Sequence, residues 1–380
     1  MKDEKNFFVV VDNGTGSMKA GFSKDKYPQT IFPTMIGRVK DEENLNQKEI
    51  TTKEKLENLQ LKKNRSLKIE TPFNNEIINW EVMEKIWDHL FEKELKISLE
   101  EHPILFTDIN VNIDKEKIKF QREKICEIIF ESFHVNLFYI QNQTVLSLYH
   151  SGKQSGTLLN CGENFCCSVP IYEGNAFYKS AYKNIIGGNH LTQFLSKTLT
   201  ELEIPMFSAE WEVINDIKEK MCYVSLDFEE DMFKSFNSEE TNKIYELPDG
   251  RIITLSNERF KCSEALFQPD ITGTDSTGIH DVVYSSIMRT DFDIRSCFYN
   301  NVILSGGSPM FPGLEERLKI ELISLAPSRT KVNVLSSPQR NVSSWIGGSM
   351  ITSISNFERE CCSKEEYLEK GGKWIHKKCF

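Results

Sequence analysis

The sequence predicts an α/β fold made of two related lobes, and three observations carry that expectation. The segments 7–22 and 157–172 each run from an apolar strand through a polar residue and a glycine turn into a second strand. A third strand-to-glycine junction lies at Asn301-Val-Ile-Leu-Ser-Gly-Gly307. Between these junctions helical and strand periodicities alternate, which is the pattern of the α/β class. The 380 residues suffice for two or three domains.

Phe7-Phe-Val-Val-Val11 is aromatic and β-branched and ends in Asp12-Asn-Gly-Thr-Gly16. It reads as a buried strand entering a tight turn, with Gly14 and Gly16 free to take positive φ. Lys19-Ala-Gly-Phe22 closes the hairpin. Residues 40–57 hold ten charged side chains and no glycine, which reads as a solvated, helix-compatible insertion. Asn79 caps a helix in which Trp80, Met83, Ile86-Trp87, Leu90-Phe91 and Leu95 recur at helical period, with Glu81 in the first turn. A second helix is expected over 119–133, with Phe120, Ile125, Ile128-Ile129 and Phe133 on one side. Thr157–Asn160 then enters a turn at Gly162, Cys166–Tyr172 returns, and Glu173-Gly174 turns again. Tyr245–Leu255 is a hairpin about Asp249-Gly250, because Asp-Gly suits a two-residue turn between alternating runs.

Composition narrows the function. Lys and Arg number 46 against 56 Asp and Glu, a net charge of −10 that argues against direct nucleic-acid binding through bulk positive charge. The longest apolar run, Phe7–Val11, is too short for membrane insertion, and the charged residues around it do not make a secretory signal. Ten cysteines are scattered without C-x-x-C spacing, and seven histidines supply no ligand cluster, so reduced thiols and no structural metal are expected.

Glycine turns after strands can cradle phosphate, since backbone N–H groups approach an anion where no Cβ intervenes. Three such turns exist, at Asp12–Lys19, Asn160–Phe165 and Ser305–Ser308, and any one alone reads first as an ordinary hairpin turn. The first adds Asp12, a carboxylate able to hold a hydrated cation, and Lys19, an ammonium able to meet a phosphate. No G-x-x-x-x-G-K-[ST] and no strand-to-helix G-x-G-x-x-G occurs.

At these residues the chain resembles the actin family. The resemblance rests on Val9-Val-Val-Asp-Asn-Gly-Thr-Gly16, Lys19-Ala-Gly-Phe22, Gln143-Thr-Val-Leu-Ser-Leu-Tyr149 and Val169-Pro-Ile-Tyr-Glu-Gly174. It continues through Asp216-Ile-Lys-Glu-Lys220, Glu264–Pro269, Leu304-Ser-Gly-Gly307, Trp345-Ile-Gly-Gly348 and His376–Phe380, so it covers nearly the whole chain. It implies duplicated ribonuclease-H-like lobes, 1–150 with 343–380 (carrying a charged outer-loop insertion at about 39–70) and 151–342, around a cleft holding ATP or ADP with Mg²⁺ or Ca²⁺. Gly14, Thr15, Gly16 and Lys19 match the first phosphate loop, and Asp12 matches the acid that holds the cation through water. Gly162 and Glu163 fall in the second loop, Gly306, Gly307 and Ser308 in the third, and Lys218 and Glu219 match residues near the adenosine. Gln143 matches the glutamine that positions the attacking water.

The chain departs from the family pattern where the resemblance places hydrolysis. Asn160 and Glu163 stand for aspartates, Asn164 for a glycine, Cys167 for a water-orienting histidine, His190 for an aspartate and Asn341 for a lysine. Asn160 brings no charge to a hydrated cation, and a neutral thiol is a poorer proton acceptor than imidazole. The implied protein is a divergent actin-like chain, at most a weak ATPase, with a structural role among cytoskeletal or complex subunits, actin included. A cytoplasmic, cytoskeletal location is expected and a nuclear one is compatible. A conventional filament-forming actin ATPase, a nuclear chromatin-remodelling subunit and a sugar kinase of the same superfamily are the competing readings. Charges in the outer loop (Asp41, Glu42, Glu43, Lys48, Glu49) and polar residues at 270–275 argue against a homopolymer, while Ile351 and Ile354 suggest an apolar groove lining.

Overall fold

Val9, Val10 and Val11 are fully buried, and the strand they form organises the first of two main sheets. The computed structural model describes residues 7–39, 48–50, 67–74, 77–108, 115–202 and 211–379. Two compact units emerge, Met1–Lys153 with Val342–Phe380, and Gln154–Asn341.

Unit 1 holds the strands β1 (Val9–Asn13), β2 (Ser17–Phe22), β3 (Thr30–Pro33), β4 (Ile36–Val39), β5 (Lys48–Ile50), β6 (Leu67–Glu70), β7 (Phe73–Asn74), β8 (Ile77–Ile78), β9 (Ile104–Asp108) and β10 (Leu137–Asn142). The main sheet runs in the order Cys362–Ser363, β10, β9, β1, β2, β3. β1, β2 and β3 are antiparallel neighbours, whereas β9 lies parallel to both β1 and β10. No glycine turn marks β9 or β10 in the sequence, yet β9 is buried throughout and borders the first turn. Trp87, Phe91 and Phe138 pack against its Phe106 at centroid separations between 5.2 and 6.4 Å. The helix Ser343–Thr352 closes the other side, where Trp345 Nε1 donates to the Val10 carbonyl at 2.9 Å.

Several expectations change here. Neither Gly14 nor Gly16 has positive φ; Gly14 is required because a Cβ would strike the Ser17 carbonyl oxygen. The helix from Trp80 is capped by Asn79, whose Oδ1 accepts from Val82 N at 3.3 Å, and it widens into a π-helical stretch at Leu90–Leu95. The second helix spans Lys115–Glu131, and Phe120 is 63% exposed rather than packed. It lies five residues before buried Ile125, about 140° away around the helix axis. Phe133 follows the helix and packs edge-on against Phe91 at 5.4 Å. Lys48–Ile50 pair antiparallel with β4 as a strand, contrary to a helical insertion; 40–47 and 51–66 lie outside the described residues. Ile351 is buried within unit 1, leaving only Ile354 of the expected pair exposed.

Unit 2 contains β11 (Gly156–Cys161), β12 (Cys166–Tyr172), β13 (Asn175–Ala176), β14 (Tyr182–Asn184), β15 (Lys243–Glu246), β16 (Ile252–Leu255), β17 (Val302–Ser305) and β18 (Val334–Leu335). Its main sheet repeats the plan of the first: β11 and β12 are antiparallel, and β17 runs parallel to both β11 and β18. Glu173 and Gly174 both take positive φ where β12 turns into β13. β15 and β16 form the expected hairpin, with Gly250 at φ 83°. Arg317 grips buried Glu264 with two hydrogen bonds of 2.9 and 3.1 Å, the planar fork matching the carboxylate.

Candidate functional site

In unit 1 the β1–β2 register sets Asp12 opposite Lys19, and Lys19 Nζ reaches Asp12 Oδ2 at 3.2 Å. Asp12 is almost wholly buried, so its charge needs partners. Oδ1 accepts from Thr107 Oγ1 at 2.9 Å and Gln143 Nε2 at 3.0 Å; Oδ2 also accepts from Ser344 Oγ at 2.8 Å. Gln143 begins the helix Gln143–His150, and its amide nitrogen is directed at Asp12, so the amide oxygen is the group left to receive a water proton. Thr34 closes the turn from behind. Its Oγ1 donates to the Gly14 carbonyl at 2.7 Å and its N–H to that of Gly16 at 3.1 Å. Tying back these two acceptor oxygens suits a turn that meets an anion. Asn13 is fixed by Trp87 Nε1, which donates to Oδ1 at 3.0 Å.

In unit 2 the corresponding register sets Asn160 opposite Cys167, with no charge on either. Although the residue is partly exposed, burial pushes the Cys167 thiol up to about 12, with Cys161 adding and Lys183 opposing. Cys167 therefore stays protonated at neutral pH and offers no base. Burial likewise lowers the His190 imidazole, which stays neutral. The turn after β11 is held by Gly188 N–H to the Gly162 carbonyl and Asn189 N–H to the Glu163 carbonyl, at 2.9 and 2.8 Å. Burial raises the Glu163 carboxyl, with Lys218 opposing. A Cβ on Gly188 would lie 2.7 Å from Glu163 Oε2 and 3.5 Å from Lys218 Nζ, so carboxyl and ammonium converge over that glycine. Lys218 Nζ donates to Gly188 O at 3.1 Å and Thr192 Oγ1 at 2.7 Å. Glu219 points elsewhere and accepts from Asn215 Nδ2 at 2.8 Å. At the third turn Gly306 takes φ 101°, its N–H donates to the Arg340 carbonyl at 3.0 Å, and Ser308 Oγ reaches the Gly162 carbonyl at 3.4 Å. Gly307 faces open space.

The structure thus gathers Asp12, Lys19 and Gln143 in unit 1, and Gly162, Glu163, Lys218 and Ser308 in unit 2. Thr107, Ser344 and Thr34 were missed, because lone hydroxyls carry no motif. A signal was available for Thr107: the apolar run Ile104-Leu-Phe106 ends in Thr-Asp, as β1 ends in a polar pair. The ten cysteines are all free. Among the described residues no His, Cys, Asp or Glu cluster is placed to hold a bare metal ion. A cation carried through water on Asp12 is a different geometry.

The family model for actin matches residues 3–209 and 205–380. The chain belongs to the actin family. It is 38% identical over 392 residues to the protein named "Putative actin-29" from Dictyostelium discoideum, covering 100% of this chain and 98% of that one. The α/β architecture, with similar sheets in both units, is that of an actin-family protein. No helix among the described residues of this actin-family chain is long and apolar enough to cross a membrane.

Proposed function

We propose that this actin-family chain binds ATP with a divalent cation, hydrolyses it weakly or not at all, and serves as a structural component of cytoskeletal or other multi-protein assemblies in the cytoplasm. One observation carries the reading. The buried Asp12 carboxylate and Lys19 ammonium are prepared at a glycine turn of unit 1, while the matching pair in unit 2 is neutral Asn160 and Cys167. The residues present fit the nucleotide. Gly14, Thr15, Gly16 and Lys19 would meet its phosphates with Gly162, Gly306, Gly307 and Ser308, and Lys218 with Glu163 or Glu219 its nucleoside. The cation would supply charge neutralisation on the phosphates, held by Asp12 through water.

Hydrolysis needs a water oriented and its proton accepted. Gln143 can orient a water through its amide oxygen, its nitrogen being fixed on Asp12. Cys167, protonated at neutral pH, cannot accept the proton as a histidine would. Asn160 adds no negative charge for the hydrated cation. On this reading binding is retained and turnover is weak or lost.

The surface supports the assembly reading. Asp270 and Asp275 are exposed around a short turn whose Thr272 Oγ1 donates to Pro269 O and Thr274 Oγ1, and Glu358, Arg359 and Glu360 are exposed near the C-terminus. Burying an unpaired charge in every copy of a filament contact would cost several kcal/mol per subunit. Chromatography of nucleotide released from the purified protein should recover ATP, with phosphate release slower than in actin. Sedimentation with electron microscopy should show no extended homopolymer in Mg²⁺ and salt. A nucleotide-free protein overturns the first part, and long two-stranded filaments overturn the second.

A further inference from the structure

The hairpin of unit 2 carries two thiols that the proposed nucleotide chemistry does not use. Cys161 ends β11 and Cys166 opens β12, and the register pairs them directly across the strands. The backbone groups show which kind of pair this is. The Cys166 N–H points away from β11 and donates to Asn184 Oδ1 at 3.2 Å, while Gly162 N–H donates to the Phe165 carbonyl at 3.0 Å one step nearer the turn. Four positions back, Thr157 faces Pro170, which has no N–H, and Thr157 donates instead to the Asn301 carbonyl. Alternation from either end makes Cys161 and Cys166 a non-hydrogen-bonded pair. Cα atoms in such a pair stand about 4.5 Å apart, inside the roughly 4.4–6.8 Å window of a disulfide. Burial raises the Cys166 thiol, and the neighbouring Cys161 thiol raises it further.

We propose that Cys161 and Cys166 form an oxidisable pair that closes a disulfide across the mouth of the Gly162–Phe165 turn when the protein meets a peroxide. One thiol attacks the peroxide, becomes a sulfenic acid and releases water. The second thiol displaces the sulfenic oxygen as a further water, so two thiols and one hydrogen peroxide give one S–S bond and two waters. Both sulfurs are fully buried, which holds them as thiols and makes the first step wait on opening of the four-residue turn. The bond fixes the turn to which the nucleotide reading assigns a phosphate, and only that consequence rests on the reading.

The test treats the full chain with hydrogen peroxide, removes the oxidant, blocks the remaining thiols with N-ethylmaleimide in denaturant, and cleaves after Lys153, Glu163 and Glu173. The turn is cut at Glu163, so the bond appears as 154–163 joined to 164–173 and separated by reductant. Cys161→Ser should abolish the joined species and Cys167→Ser should leave it. Recovery of Cys161 and Cys166 both alkylated, after the more accessible Cys297 has oxidised, overturns the proposal. So does a link through Cys167. Nucleotide measured on the same sample separates the two ideas: an empty protein that forms the bond sinks the nucleotide reading alone, and a nucleotide-loaded protein without the bond sinks this one.

Discussion

The two hairpins share a plan and differ in charge. In unit 1 the strand pair sets Asp12 opposite Lys19, and the parallel neighbour β9 supplies Thr107 beside them. In unit 2 the same positions hold Asn160 opposite Cys167, with Ser305 of parallel β17 as the neighbour. The backbone can therefore be kept while the chemistry is changed. One turn keeps a buried ion pair fastened by three further donors; the other exchanges charge for amide and thiol. A carboxylate that is already fully hydrogen-bonded is pre-organised, because nothing must rearrange when a charged ligand arrives.

Removing the ion pair should produce the largest effect. Lys19 and Asp12 side chains are 14% and 3% exposed, so Lys19→Ala leaves a buried carboxylate without its cation. Breaking such a pair costs about 3–5 kcal/mol, and the lower end is expected because Thr107, Gln143 and Ser344 remain as donors. Denaturant midpoints measure it, and the purified variant should contain no nucleotide, which lowers its melting temperature further by mass action. Asn160→Ala, by contrast, should cost no more than about 1.5 kcal/mol, the scale of a neutral hydrogen bond. Equal costs at the two positions would break the comparison.

Rebuilding the second hairpin should act on rate rather than stability. In the proposed nucleotide complex, Asn160→Asp with Cys167→His would supply a carboxylate for the hydrated cation and a ring nitrogen able to accept a proton. A general base contributes typically 10²–10⁴-fold, so phosphate release per protomer should rise at least about tenfold. Each single substitution should give less than the pair. An unchanged rate with nucleotide still bound would show that hydrolysis is limited by some other departure from the family pattern.

Much of this was legible in the sequence, and the reasons for the gaps are physical. Strands that end in glycine turns announce themselves, so both hairpins and the Val302–Ser305 junction were found by pattern. Their conformations were read less well: Gly14 is needed for close approach to Ser17 and not for positive φ. Phe120 misled because an apolar residue in a helix need not lie on its buried face. Thr107 and Ser344 were invisible because each becomes functional only through contacts 95 and 332 residues away in sequence. Single hydroxyls acquire meaning from the carboxylate they meet.

The smallest effect sharpens the electrostatics of the second hairpin. Glu163 is partly buried beside Lys218 and Gly188, and this burial raises its carboxyl above the ordinary value. Between that value and the raised one, the folded chain holds a proton that the unfolded chain has released. The unfolded state then binds fewer protons, so stability falls as pH rises through this window and the loss persists above it. Lys218 opposes the shift without cancelling it. Glu163→Gln keeps the shape and cannot ionise, so the variant should lose that part of the slope. It should match the parent at acid pH and exceed it once the parent's carboxyl has ionised. Denaturant midpoints of both proteins, taken without nucleotide across the window, read the difference. A variant that tracks the parent at every pH would place the slope on other groups. A variant less stable at neutral pH would mean that the Lys218 attraction outweighs desolvation, making the second hairpin a charge-paired site like the first.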